Sequence, residues 1–253
     1  MNRKISKSSL YLFFLFFTLS LVPINQVNGQ TNVNILCFIE DAFGDSYYIN
    51  KGIMESYNWT ITTASSKNFV TGCKNLGKNV TDTYADILVD DISDKDLFDY
   101  DCIFVPSGGH VNNIMGVARV TEIIQKSHEE GILIAGICTG MIMLAYAGIL
   151  DGVDVAYSNF ATEWIRGSGA NITTESVVSD QGIITGGFGG GVGQGPEGAP
   201  NEDFCEKIKE EIELHVNQSV LSSILVVIVG IITISIISVQ RKYAKRRNLF
   251  LIE

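Results

Sequence analysis

The chain has 253 residues, 46% of them hydrophobic and 18% charged, with a formal net charge of −10 at pH 7. The acidic balance argues against a nucleic-acid partner and against docking on anionic lipid. The two ends differ in character from the middle, and the middle carries the fold.

Residues 1–29 read as a secretory signal peptide. Arg3, Lys4 and Lys7 precede an apolar stretch from Leu10 to Val22, and Val27 and Gly29 supply small residues for cleavage before Gln30. Residues 30–217 are then the size of one domain. From Gln30 to Ser219 the chain carries ten of the 18 basic residues against 27 of the 28 acidic ones, a formal charge of ten minus 27, or about −17.

Along this segment apolar runs alternate with helical patterns. Val33 to Ile39 reads as a buried strand, Ser46 to Tyr57 as a helix, and Thr60 to Ala64 as a second strand. Ile87 to Val89 is a short strand candidate, followed by the acidic loop Asp90 to Asp96. Cys102 to Val105 is a buried strand that runs into Pro106-Ser-Gly-Gly-His110. Val117 to Glu130 places Val117, Val120, Ile123 and Ile124 on one helical face. A strand from Ile132 to Ile137 stops at Cys138, and an apolar helix from Met141 to Leu150 follows the turn Thr139-Gly140.

A hairpin is expected from Val177-Val178 and Gly182 to Thr185, then a glycine-rich stretch from Gly186 to Pro200, which reads as a loop near the pocket. Phe204, Ile208, Ile212 and Val216, four apart, mark an amphipathic helix. Such alternation implies an α/β domain with a mainly parallel sheet, in which sites form at the carboxyl ends of strands.

The last part of the chain is a membrane anchor by pattern. Val220 to Val239 is twenty residues without a charge, within a span placed at 218–240, and Arg241, Lys242, Lys245, Arg246 and Arg247 follow in the tail 241–253. The positive-inside rule keeps that cluster cytoplasmic, so the expected topology is a single-pass type I membrane protein with an outside or luminal ectodomain. Four sequons, at Asn58, Asn79, Asn171 and Asn217, agree with export and make the chain a candidate glycoprotein.

Cys138 carries the sharpest chemical signal. A cysteine on a tight strand-to-helix turn is a thiol nucleophile elbow, and the positive end of the following helix favours thiolate over thiol. Of the other cysteines, Cys37 and Cys102 lie in strand-like runs and read as core. Cys73 and Cys205 have more polar surroundings and are a candidate disulfide. His110, His128 and His215 are scattered, and neither they nor the cysteines have metal-ligand spacing, so no metal or other cofactor is expected.

Phe104-Val-Pro-Ser-Gly-Gly109, Gly136-Ile-Cys-Thr-Gly140, Leu144-Ala-Tyr-Ala-Gly-Ile-Leu-Asp-Gly152, and Val177 to Gly187 leading into Gly195-Pro196 together resemble the PfpI family. This is the superfamily of cysteine-elbow α/β proteins that includes the parkinsonism-associated deglycase and isonitrile hydratase, and it is related in fold to class I glutamine amidotransferases. The resemblance covers Asn34 to Val216. It implies a flavodoxin-like three-layer sandwich and a small-molecule substrate, with dimerisation near the site. It also implies Cys138 as nucleophile on a small electrophilic carbon. Gly108, Gly109 and the Thr139 N–H would form an oxyanion hole.

Many members have His directly after the cysteine. Here Thr139 stands there, like the Cys-Thr pair of the isonitrile-hydratase and regulator branches, and Thr is no general base near neutral pH. The family's carboxylate on the first helix matches Tyr47, which leaves Asp45, near Glu40 and Asp41, as the candidate acid. Asp45 reads equally as a helix N-cap. His110 reads either as a base replacing the missing histidine or as a solvent-facing loop residue. The two functions left open are a cysteine-dependent hydrolase or hydro-lyase, and a noncatalytic ligand-binding or redox-sensing module.

Overall fold

The computed structural model describes residues 32–76, 80–159, 161–187 and 198–249. The proposed signal peptide, Asn79 and most of the glycine-rich stretch lie outside these residues.

Seven strands form one sheet in the order β10-β11-β7-β6-β1-β2-β5. They are β1 (Asn34–Phe38), β2 (Thr60–Ser65), β5 (Ile87–Leu88), β6 (Cys102–Val105), β7 (Leu133–Ile137), β10 (Val177–Asp180) and β11 (Ile183–Gly186). Every pairing is parallel except the β10–β11 hairpin at one edge. Two small accessory sheets pair β3 (Phe69–Val70) with β4 (Thr83–Tyr84), and β8 (Asp154–Val155) with β9 (Asn171–Ile172). The sequence pattern does not mark either accessory sheet, because strands of two residues are too short to show a period.

Helices cover both faces of the sheet. They are α1 (Ser46–Ser56), α2 (Val111–Met115), α3 (Ala118–Glu129), α4 (Gly140–Tyr146), α5 (Thr162–Gly167) and α6 (Asn201–Leu249). Strand side chains alternate between the two layers. Leu36, Phe38, Ile103, Val105 and Ile134 pack with Val120, Ile123 and Ile124 of α3, Met141 and Leu144 of α4 and Ile165 of α5. Ile35, Cys37, Phe104, Leu133 and Ala135 pack on the other face with Met54 of α1 and with Phe204, Ile208 and Ile212 of α6. Both faces of the central strands are therefore dry, which explains why β6 and β7 are apolar at every position. The fold is the flavodoxin-like three-layer sandwich expected, with α4 shorter than the pattern to Leu150 suggested.

The amphipathic helix and the apolar span are one element, not two. α6 runs 49 residues without a break. No Gly or Pro lies between Val216 and Val220, so nothing in the sequence stops the helix there. Phe204 and Ile208 are fully buried, whereas Leu221, Leu225, Val226 and Ile234 are more than 60% exposed. This is one helix long and apolar enough to cross a membrane, and its apolar window is unburied by the rest of the chain.

The candidate disulfide is not formed. Cys73 and Cys205 are both free thiols. Cys205 is fully buried, and its thiol donates to Asn50 Oδ1 at 3.2 Å. Its helical neighbours Phe204 and Ile208 turn it into the core, which a count of local polar residues does not reveal.

Candidate functional site

The sheet order reverses direction beside β1: the chain passes outward to β2 on one side and to β6 and β7 on the other. The crevice at that switch point opens at the strands' carboxyl ends. Three loops meet there: the one after β1, the one after β6, and the turn after β7. Phe43 and Gly108 form an antiparallel bridge that ties the first two together. Gly108 is obligatory, since a Cβ there would lie 2.6 Å from the Gly44 nitrogen.

Cys138 occupies the third loop with φ +52°, a left-handed conformation that L-residues other than Asn and Asp seldom adopt. The turn is fixed on both sides. Cys138 N–H donates to Gly186 O of β11 at 2.7 Å. On the other side Gly140 packs so tightly that a Cβ would meet Val105 O at 2.2 Å. A cavity of about 270 Å³ lies over the sulfur, walled by Gly44, Asp45, Ser46, Ile49, Leu76, Ser107, Gly108, Gly109, Thr139, Ala199 and Asn201.

Burial pushes the Cys138 thiol above its ordinary value, while the Ser107 hydroxyl, the Thr139 N–H and the Ser158 hydroxyl draw it back down. Burial is the largest of these influences. The thiolate-favouring shift expected from the helix terminus alone is thus overcome by a residue only 4% exposed.

Thr139 is wired into the facing loop. Its Oγ1 accepts from Gly108 N–H at 2.9 Å, can donate to Gly108 O at 3.0 Å, and lies 3.1 Å from Ser107 Oγ. The Gly108 N–H expected to face an oxyanion is therefore engaged by this hydroxyl. Thr139 has one proton for two acceptors. When it points to Ser107, the Ser107 proton is released toward the sulfur.

The remaining candidates are distributed differently from expectation. Asp45 lines the cavity at the start of α1 and makes no side-chain cap bond to that helix, so the N-cap alternative has no bond behind it. Tyr47 points the other way. It is buried, and its hydroxyl pairs with Thr63 Oγ1 at 2.8 Å on β2. The helix residue at the cavity is its neighbour Ser46, whose Oγ accepts from Ser107 N–H at 3.2 Å and Asn50 Nδ2 at 3.1 Å.

His110 is no solvent-facing loop residue. It is fully buried, Nδ1 accepts from Glu40 N–H at 3.3 Å, and Nε2–H donates to Pro106 O at 2.9 Å. Burial holds its pKa down at about 4. With both ring nitrogens committed to backbone and the ring outside the cavity wall, His110 staples the loops together. Glu40 is also structural, accepting from Ser65 Oγ at 3.1 Å and Ser66 N–H at 2.6 Å. Asp41 ties down Lys67 and Thr71.

Ser46, Ser107, Asn201 and Ser158 are site residues that pattern reasoning missed. Ser107 lies within the Pro106-Ser-Gly-Gly-His110 turn. The others are single polar residues with no spacing to announce them. Among the described residues no group of His, Cys, Asp or Glu is arranged to hold a metal.

A parallel sheet with a left-handed cysteine at its switch point defines a cysteine-elbow α/β protein. Its sequence matches the model of the DJ-1/PfpI family over residues 33–194, and the chain belongs to that family. Among solved structures, it resembles a ThiJ/PfpI domain protein from Brachyspira murdochii at 22% identity, covering 71% of this chain and 95% of that one, with a TM-score of 0.59. DJ-1 of Schizosaccharomyces pombe matches at 18% identity over 71% of this chain and 91% of that one, also at 0.59. A two-domain protein from Anabaena variabilis, with DJ-1/ThiJ/PfpI-like and ferritin-like domains, matches at 20% identity and a TM-score of 0.55 over 61% of this chain. The match spans 45% of that protein's length. At these identities the likeness is one of fold. No curated protein matches the sequence.

Proposed function

We propose that the chain is a membrane-anchored DJ-1/PfpI protein whose domain lies outside the cell or in a lumen. In this reading Cys138 acts as a nucleophile on a small electrophilic carbon, such as that of an aldehyde or an isonitrile. One observation carries it: Cys138 holds φ +52° at the strand-to-helix turn and lines a cavity of about 270 Å³. For an aldehyde, the thiol loses its proton to water, and the sulfur pair forms a C–S bond as the C=O π pair moves onto oxygen. That oxygen then takes a proton from solvent. The donors of the turn stabilise the charge as it develops.

The cavity walls suit a compact substrate. Ile49, Leu76 and Ala199 give apolar contact, and Asp45 is the one carboxylate among the described lining residues. Asp45 is therefore the candidate to exchange these protons with solvent, since Thr139 is no base and His110 is committed elsewhere. The signal-like first 29 residues, the apolar span and the basic tail support the topology. The sequon residues Asn58, Asn171 and Asn217 are all exposed.

The absence of a histidine from the described cavity wall favours a second reading, a noncatalytic ligand-binding or redox-sensing module. The two are separated by offering the purified full-length chain in detergent a panel of aldehydes, isonitriles and small amides, with Cys138→Ala as control. Turnover lost in the variant supports the enzyme. Saturable binding without turnover supports the module.

A further inference from the structure

We propose that Ser158 is a hydrogen-bond donor reserved for the Cys138 sulfur anion, a positioning residue that helps hold the thiolate where no histidine is present to do so. The inference rests on the reading of Cys138 as the reacting atom.

The backbone places Ser158 beside the elbow independently of any titration. Ala156 N–H donates to Thr185 Oγ1 on β11 at 2.9 Å. The Tyr157 carbonyl packs on Gly187, where a Cβ would lie 2.1 Å from that oxygen. Gly187 follows Gly186, whose own carbonyl takes the Cys138 N–H. The segment entering Ser158 is thus laid along the strand end that anchors the cysteine. On its other side the Ser158 carbonyl accepts from Ala161 N–H at 3.2 Å and from the Thr162 hydroxyl. The main chain at Ser158 is pinned, and its side chain is left for another purpose.

That side chain is fully buried, and among the described residues its Oγ has no hydrogen-bond partner. An orphaned buried hydroxyl costs free energy, and alanine would avoid the cost. The Cys138 turn lies beside it through Gly186 and Gly187, and a hydroxyl placed there favours the charged form of the sulfur. A neutral thiol is a poor acceptor, so the bond is weak while the proton is on. It closes when the proton leaves to water and the sulfur keeps the electron pair. The Ser107 hydroxyl and the Thr139 N–H also favour the charged form of that sulfur.

The test is the pH profile of Cys138 alkylation by iodoacetamide in the full-length protein in detergent, followed on the Cys138 peptide by mass spectrometry. Ser158→Ala is expected to shift the apparent pKa upward by about one unit and to slow alkylation at pH 7 about tenfold. Its melting temperature should stay equal or rise, because the lost hydroxyl has no structural partner among the described residues. Ser158→Thr, which keeps the hydroxyl, should retain the wild-type profile. A Ser158→Ala profile that overlays the wild type overturns the proposal and leaves the Cys138 reading intact. So does a Ser158→Ala protein that melts lower or fails to fold, since the hydroxyl would then be holding the fold. A wild-type Cys138 that no pH makes reactive overturns both.

Discussion

Asn50 Nδ2 donates to Asn201 Oδ1 at 2.8 Å, and this bond joins the helix beside the cavity to the first turn of the helix that carries the apolar span. The same amide donates to Ser46 O at 2.7 Å, and its oxygen accepts from Cys205. Since the Ser46 hydroxyl also receives the Ser107 N–H, α1, α6 and the loop after β6 are joined through this buried pair. Asn50→Ala is expected to cost about 2 kcal/mol in chemical denaturation, because it leaves buried groups unpaired. A double-mutant cycle with Asn201→Ala should give a coupling of about 1 kcal/mol. Additive losses would show the Asn50–Asn201 bond to be incidental.

The titration of Cys138 should run against the simple elbow expectation. Burial dominates, so alkylation of the wild type is expected to keep rising with pH beyond the ordinary cysteine value of about 8.5. A plateau reached below pH 8 would show that the turn's donors outweigh burial.

Thr139→Val removes the hydroxyl that links Ser107 to the elbow while keeping the side chain's shape. It also leaves the Gly108 N–H without its acceptor. Cys138 alkylation near neutral pH should fall about tenfold, and Thr139→Ser should recover most of it. Equal rates in all three proteins would remove Thr139 from the site's chemistry.

His110 makes stability depend on pH. Its folded pKa, about 4, lies below its ordinary 6.5, so the unfolded chain binds the proton more readily between those values. Its contribution is complete above pH 6.5 and is lost as pH falls toward 4, by about 3 kcal/mol in all. The melting temperature should therefore drop across that window. A His110 variant that remains folded, such as His110→Asn, should lose this share of the slope. An unchanged slope would place the acid sensitivity elsewhere.

Protease added to intact cells should remove the folded domain and leave the anchor helix. Asn58 and Asn171, exposed on the folded domain, should carry glycan in a host that glycosylates. Asn217, three residues before the apolar stretch on a continuous helix, should not. Complete protection from protease would reverse the topology.

The sequence announces the sheet well, because strands buried on both faces are unbroken apolar runs such as Cys102–Val105 and Leu133–Ile137. It announces Cys138 for a related reason: Gly136 and Gly140 around a cysteine mark a turn with no room for side chains. What it hides depends on distant packing. His110 looks like a loop residue until Glu40, 70 positions away, supplies its hydrogen bond. Tyr47 and Ser46 differ by one helical step, about 100° of rotation, which decides whether a residue faces the cavity or β2. Cys205 looks polar in sequence because three of its nearest neighbours are acidic, though only its own face of the helix enters the core.

The unbroken α6 also sets a height. Asn201 at the cavity wall and Val220 at the start of the apolar stretch are nineteen steps apart on one helix, a rise of about 28 Å. With that stretch in a bilayer, the mouth stands well beyond the roughly 8 Å over which headgroup charge is felt at physiological salt. Compounds dissolved in the aqueous phase reach it freely, while a molecule embedded among acyl chains would have to leave them first. Shortening the stalk by whole turns would lower the opening toward the headgroups, and so turn the reach of a helix into a filter on what can enter.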